Sequence, residues 1–308
     1  MKTKPYFICI LIACRLLSGC EEDVNAPLAK SPYPVVYFIL DKDDTAHYVR
    51  LTKTFSGPVD ANVMAQNPDS LYYKNVRVFA EMSGKTVEME PTDEIKRDSG
   101  VFFSDYSLLY KTTYRLCGGV RIHIFLPDYG SEVIGSTEMM GTPVFKKPEP
   151  GKKKVLSFYE PEYVQIQWNG IKSVCQTTIR FKYLEITDSG LDTCHVDWTR
   201  KSADFAILPQ DLLDYLNHWI PDKPEVRYRK VLGFDILVTT GNGQLASYMK
   251  YKDWSIDFID SPYSNLINAY GLVAARVSGK LTDYLPNQRF IDTLVTNSLT
   301  EHLRFVKW

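Results

Sequence analysis

Pro34–Leu40 reads PVVYFIL, Asp41–Thr45 reads DKDDT, and His47–Thr52 reads HYVRLT. The first segment is a short apolar run rich in β-branched and aromatic residues. The second is a polar cluster suited to chain reversal, and the third alternates with Val49 and Leu51 on one side. Together they predict a hairpin that opens with a buried strand. The carboxylates at 41, 43 and 44 invite a calcium loop, but an EF-hand needs Gly and Glu where this chain has Ala46 and Thr52. A plain turn accounts for them.

The same pattern continues outward. Asn75–Glu81 (NVRVFAE) alternates, Ser83-Gly84 turns, and Lys85–Met89 returns as a second hairpin. Gly100–Phe103, Thr113–Leu116, Val120–Leu126 and Glu132–Thr137 read as further strands. So many short strands between residues 33 and 142 predict an immunoglobulin-like β-sandwich. An insertion over 57–71 interrupts it, with a short helix near Val63–Gln66.

Residues 143–154 (PVFKKPEPGKKK) combine prolines, a glycine and lysines and read as an interdomain linker. A second β-rich domain is expected over 155–308, with strands at Tyr163–Trp168, Thr177–Thr187, Thr193–Trp198 and Val231–Thr240. Two helices interrupt it. Near 209–219, Leu212, Leu213, Leu216 and Trp219 share a side behind Pro209, and near 287–297 Phe290, Ile291, Leu294 and Val295 do the same. A length of 308 residues allows two domains at roughly 150 residues each. The fold class is therefore mainly β.

Motif chemistry is sparse. The sequence holds no G-x-S-x-G, H-E-x-x-H, Walker loop or dinucleotide fingerprint, and its five histidines show no helical ligand spacing. Gly241-Asn242-Gly243-Gln244 reads as a hairpin turn. No catalytic residue, metal site or cofactor is expected. With 36 Lys+Arg against 37 Asp+Glu, the chain lacks the basic surplus of a nucleic-acid binder. The segment SYMKYKDWSIDF (247–258) gathers Tyr248, Tyr251 and Trp254, either as core aromatics of a strand pair or as a ligand-facing surface. Trp219 and Trp308 are further exposed-aromatic candidates.

The first nineteen residues form an address. Lys2 and Lys4 precede the apolar run Tyr6–Cys14, too short to span a membrane, which reads as a signal peptide. Leu17-Ser18-Gly19-Cys20 resembles the bacterial lipobox, in which the cysteine is acylated and becomes the first mature residue. Removing 1–19 deletes Lys2, Lys4 and Arg15 and leaves 33 basic against 37 acidic side chains, a net charge of −4. Residues 20–32 then form an acidic flexible tether that begins Glu21-Glu22-Asp23. Besides Cys20, three cysteines remain. Cys175 and Cys194 are placed either to bridge neighbouring strands or to stay as free thiols, and with Cys117 the number is odd.

Tyr263–Val273 (YSNLINAYGLV) with Ala274-Ala275-Arg276 resembles the closing motif of a large group of Bacteroidota outer-membrane lipoproteins of unknown function, a phrase like Y-x-N-I-x-N-G-x-G-[IV]-F. Val36-Tyr37, Thr45–Leu51 and Lys53-Thr54-Phe55 are similar to their first hairpin, Asp98–Phe102 to a later turn, and Phe290–Leu294 with Leu299–Phe305 to their ending. This chain departs from the motif at Ala269 and Val273. The resemblance implies a two-part β-rich ectodomain on a lipid anchor in the outer membrane and brings no catalytic residues. It also gives Glu21, Glu22 and Asp23 the role of a surface-export signal. O-glycosylation in that phylum at Asp-Ser/Thr-apolar triplets makes Thr45, Ser70 and Thr293 candidates, with Ser70 placed on an exposed loop.

The expected function is that of a non-catalytic lipoprotein, held in the outer membrane by acyl chains on Cys20 and facing the cell exterior. Its expected partner is a TonB-dependent receptor or another barrel protein. An adhesin or glycan-binding module is the alternative, and an unrecognised hydrolase comes third. Cys20→Ala should move the full chain from the membrane pellet to the soluble fraction, and retention in the pellet would remove the anchor.

Overall fold

The computed structural model describes residues 32–55, 59–151, 153–158, 163–170, 174–202, 205–252 and 263–307. The predicted first hairpin forms as β1 (Pro34–Asp41) and β2 (His47–Lys53), with Val36, Phe38, Leu40, Val49 and Leu51 all buried. Asp41 braces the turn: its carboxylate accepts from the Asp43 amide at 3.2 Å and from Arg276 Nε at 3.0 Å. After two short helices, α1 (Ala61–Ala65) and α2 (Pro68–Leu71), come β3 (Arg77–Met82), β4 (Lys85–Thr92), β5 (Leu109–Thr112), β6 (Gly119–Leu126) and β7 (Ser131–Glu138). Two expected strands differ. Residues 100–102 form bends and Phe103 is in no strand, and the strand expected at 113–116 lies at Leu109–Thr112, where Leu109 and Tyr110 are buried.

The chain continues through β8 (Val144–Lys147), β9 (Val155–Leu156), β10 (Val164–Asn169), β11 (Val174–Thr187), β12 (Leu191–Arg200), β13 (Phe205–Ile207), α3 (Pro209–Trp219) and β14 (Val226–Gly241). It ends with α4 (Gly243–Lys252), β15 (Leu266–Ile267), β16 (Tyr270–Pro286) and α5 (Gln288–Thr296). The expected helices at 209–219 and 287–297 are thus α3 and α5. Gly241–Gln244 is instead a strand-to-helix junction, where the Asn242 side chain accepts from the Leu245 amide at 3.2 Å and starts α4.

The first part is an immunoglobulin-like β-sandwich. One layer is β16–β1–β2–β5 and the other β4–β3–β6–β7–β15, and β4 passes between them by pairing β3 with its first half and β5 with its last three residues. Inward residues of both layers fill one core, among them Phe38, Leu51, Val78, Ile122, Val133 and Val273. The second part sets the long antiparallel strands β12–β11–β14–β16 against the three-stranded sheet β13–β10–β8 and helices α3 and α5. Trp168, Phe181, Phe234, Leu213 and Phe290 lie in that second core.

The expected linker at 143–154 contributes a strand. Val144–Lys147 pairs β10, and Phe145 is buried in the second core because its neighbours Val144 and Lys146 point outward. Strand β16 belongs to both cores. Its first half pairs β1 in parallel, Val35 opposite Tyr270 through Asp41 opposite Arg276, while its second half pairs β14. Residues 264–277 therefore complete the N-terminal sandwich from the far end of the chain.

The closing segment that feeds β16 is held by its own polar side chains. Asn265 brackets Val273, donating to its carbonyl at 2.7 Å and accepting from its amide at 2.9 Å, and Ser264 Oγ donates to the Ala269 carbonyl at 2.6 Å. Ala269 and Val273 are both buried, and Gly135 leaves the space that Val273 fills, since a Cβ there would sit 2.7 Å from Val273 Cγ2.

In the second core, Arg229 is fully buried and donates to Glu185 and to the carbonyls of Pro221 and Leu303, tying the C-terminal segment to β11 and β14. Burial pushes the Glu185 carboxyl up, but Lys223 at 2.7 Å and Arg229 at 2.8 Å outweigh it, and the net shift is downward. A depressed carboxylate stabilises the fold above its unfolded pKa, and the contribution is lost as pH falls through the folded value.

Gly271 permits the β1–β16 pairing. Its φ is +117°, and a Cβ would lie 1.9 Å from the Val36 carbonyl oxygen. Gly271→Ala should destabilise the protein by at least about 3 kcal/mol in urea unfolding, from strain plus backbone displacement. A loss below about 1 kcal/mol would mean that this contact does not constrain the strand pair.

Candidate functional site

On the outer face of the β4–β3–β6–β7–β15 layer, the register builds three rows. Arg77, Phe125 and Glu132 form one, and Glu88, Phe79, His123, Ile134 and Ile267 the next. Thr86, Glu81, Arg121 and Ser136 form the third. These side chains point out because their strand neighbours Val78, Ala80, Ile122, Ile124 and Val133 point in. Phe125 is 39% exposed and Ile267 60%, so the face carries apolar surface in water.

His123 sits at its centre between two carboxylates. Its Nδ1 is 2.7 Å from Glu132 Oε1 and its Nε2 is 3.0 Å from Glu81 Oε2. Ionised carboxylates only accept hydrogen bonds, so both contacts are satisfied together when each ring nitrogen carries a proton. The ring stacks at 6.4 Å on Phe125, which meets Phe79 edge-on at 5.7 Å. Arg77 lies over Phe79 at 4.8 Å and makes a two-point contact with Glu88. Hydrogen bonding to Glu88 holds the Arg77 guanidinium above, and the Glu88 carboxyl below, its ordinary pKa.

Two concavities border this face. One, of about 450 Å³, is lined at the β6 entry by Glu81, Arg121, Ser136 and Gln244. The other, of about 370 Å³, lies at the opposite end by Tyr33, Tyr73, Tyr129 and Glu132. Tyr73 is buried beside Tyr129, and both burial and that neighbour raise its pKa, so its hydroxyl remains a donor to the Pro32 carbonyl at 3.0 Å.

The sequence-predicted residues fall elsewhere. Cys20, Glu21, Glu22, Asp23, Trp254 and Trp308 lie outside the described residues. Tyr248 and Tyr251 lie on helix α4 rather than on a strand pair. The Tyr248 ring packs edge-on against Tyr37 at 6.1 Å and Tyr263 at 5.9 Å. Burial, then the hydrogen bond with Tyr248, pushes the Tyr37 hydroxyl up to about 12. Trp219 stands 56% exposed at the end of α3.

The Cys175–Cys194 bridge is excluded by register. Cys194 is free and lies opposite Tyr183, eight residues along β11 from Cys175, or about 26 Å at ~3.3 Å per residue. Ser70 lies within α2 and is half-buried rather than on an exposed loop, because the Pro/Asn-rich stretch closes into a helical turn capped by Asn67. Thr45 is exposed in the β1–β2 turn, and Thr293 is half-buried with its hydroxyl donating to the Arg289 carbonyl at 2.9 Å. Among the described residues, no group of three or more His, Cys, Asp or Glu is placed to hold a metal, and no helix is long and apolar enough to cross a membrane.

No protein-family model matches the sequence, and no curated protein does. Among solved structures, the chain is similar to a two fibronectin type-III domain segment from chicken tenascin, with 12% identity, 82% of this chain and 99% of that one covered, and a TM-score of 0.20. It is also similar to the FN1–FN3 domains of chicken CNTN1, with 8% identity, 81% and 67% coverage, and a TM-score of 0.20. At these scores no property of either protein is carried over.

Sequence spacing did not disclose the His123 clamp, because Glu81 and Glu132 come from separate strands 42 and 9 residues away. Their alternation within β3, β6 and β7 was the available signal. Polar side-chain pairs on a solvated sheet face contribute roughly 0–1 kcal/mol, so Glu81→Gln with Glu132→Gln should change urea stability by no more than that. A larger loss would make the clamp part of the structural framework.

Proposed function

We propose that this chain is a non-catalytic, lipid-anchored outer-membrane lipoprotein that binds an envelope partner at the cell surface, using the outer face of the β4–β3–β6–β7–β15 layer. The observation that carries the reading is the amphiphilic character of that face. Phe79, Phe125, Ile134 and Ile267 lie among the paired polar side chains of Arg77, Glu88, Glu81, His123 and Glu132, with Phe125 and Ile267 well exposed. Central aromatics ringed by polar groups are the composition of a specific protein interface. Strands of a rigid sandwich hold them in fixed register.

The anchoring part rests on the sequence: the short signal, the lipobox-like Leu17–Cys20 and the acidic tether. One cysteine bearing several acyl chains would hold the protein stably, since a single chain gives only marginal binding. The partner class is a β-barrel protein such as a TonB-dependent receptor. A glycan-binding surface built on Tyr248, Tyr251 and Trp254 has less support, because Tyr248 is committed to packing on Tyr37 and Tyr263.

Full-length protein isolated from outer membranes in mild detergent should carry a heat-modifiable barrel protein. Phe125→Glu with Ile267→Glu should lower its recovery at least tenfold while leaving thermal unfolding unchanged. Protection of the ectodomain from protease added to whole cells would overturn surface display, and unchanged barrel recovery would overturn the assignment of this face.

A further inference from the structure

The concavity of about 370 Å³ at the other end of the sandwich has a chemistry of its own. It opens where the chain enters β1 and where β6 turns into β7. Its walls are Tyr33 and Tyr129, exposed by 39% and 43%, above the buried Tyr73. The rings are fixed from behind. Tyr33 packs on Tyr270 at 4.6 Å, and Tyr129 meets Tyr73 edge-on at 5.2 Å. Ser131, Glu132 and Asn268 supply the polar lining.

Asn268 is held in the left-handed region at φ +60°, with its Nδ2 donating to the Glu132 carbonyl at 2.9 Å. Its Oδ1 has no donor among the described residues and is left to accept from a ligand.

These groups narrow the ligand class. An anion would meet the Glu132 carboxylate. A cation would find that carboxylate already engaged by His123 Nδ1 at 2.7 Å. An aliphatic ligand would find Pro32, Pro34 and Leu126 but would also face three phenols, Ser131, Glu132 and Asn268. The lining suits a neutral molecule with C–H faces and a rim of hydroxyls. Tyrosine rings take the faces, and phenol hydroxyls and an amide oxygen take the rim. We propose that this tyrosine-lined concavity binds a neutral saccharide, stacked on Tyr33 and Tyr129 and hydrogen-bonded to Asn268.

The test uses full-length protein in a zwitterionic, sugar-free detergent, screened on an array of neutral oligosaccharides. The tightest binder is then followed by saturation-transfer NMR, with decaproline as the competing probe. The expected result is saturation transfer from protein to sugar C–H groups, a dissociation constant on the order of a millimolar, and at least a tenfold loss in Tyr129→Ala. Tyr33→Ala is the second variant, and circular dichroism reports whether each one folds. Three outcomes would overturn the proposal: no neutral sugar bound, sugar binding unchanged in both folded variants, or saturation transfer to decaproline alone. Barrel recovery through the sheet face plays no part in this readout, so the two assignments fail separately.

Discussion

Strand β16 lies parallel to β1 from Tyr270 to Arg276, and the backbones approach so closely at Gly271 that no side chain fits between them. The rest of the architecture follows from this contact. Val273, Ala275 and Val277 enter the first core only because β16 is seated there, and the same strand then continues into the second core against β14. The ion pair of Asp41 with Arg276 joins residues 235 positions apart in sequence. Such long-range pairing raises contact order, so the N-terminal sandwich is completed only once residues 264–277 have arrived.

The polar residues around this junction position the strand. Asn265 imitates a strand partner by bonding both backbone groups of Val273, and Asn268 ties the turn to Glu132 of β7. The closing phrase YSNLINAYGLV thus has a structural use for its asparagines, serine and glycine. Asn268 also lines the tyrosine-walled concavity. A device for closing a sheet therefore also shapes a surface.

Legibility of the sequence followed the range of the interactions. The first hairpin, β3–β4, α3 and α5 were readable because their apolar residues repeat with a local period and their ends carry Pro209 or Asn287. The double membership of β16 was not, since its alternation is the same whichever strand lies beside it. Residues 143–154 looked like a linker because prolines and lysines outweigh Phe145, whose side chain lies in the second core. The GNG phrase looked like a hairpin turn, although Asn242 ahead of Leu245 and Ala246 also fits a helix cap, which is what forms. The disulfide and the His123 clamp depend on strand register, and register is a property of pairs of segments. Both lay beyond a reading of single segments.

Seating β1 in parallel beside β16 also sets how the molecule bears tension. A pull applied at Pro32 runs along β1 and loads its hydrogen bonds to β16 in shear, so they resist together instead of parting one by one as in a peeled hairpin. β16 passes that load into the core around Phe234 and Tyr284. The short first strand is thus backed by the whole length of the molecule, and the force needed to extract it is set by the packing of both halves.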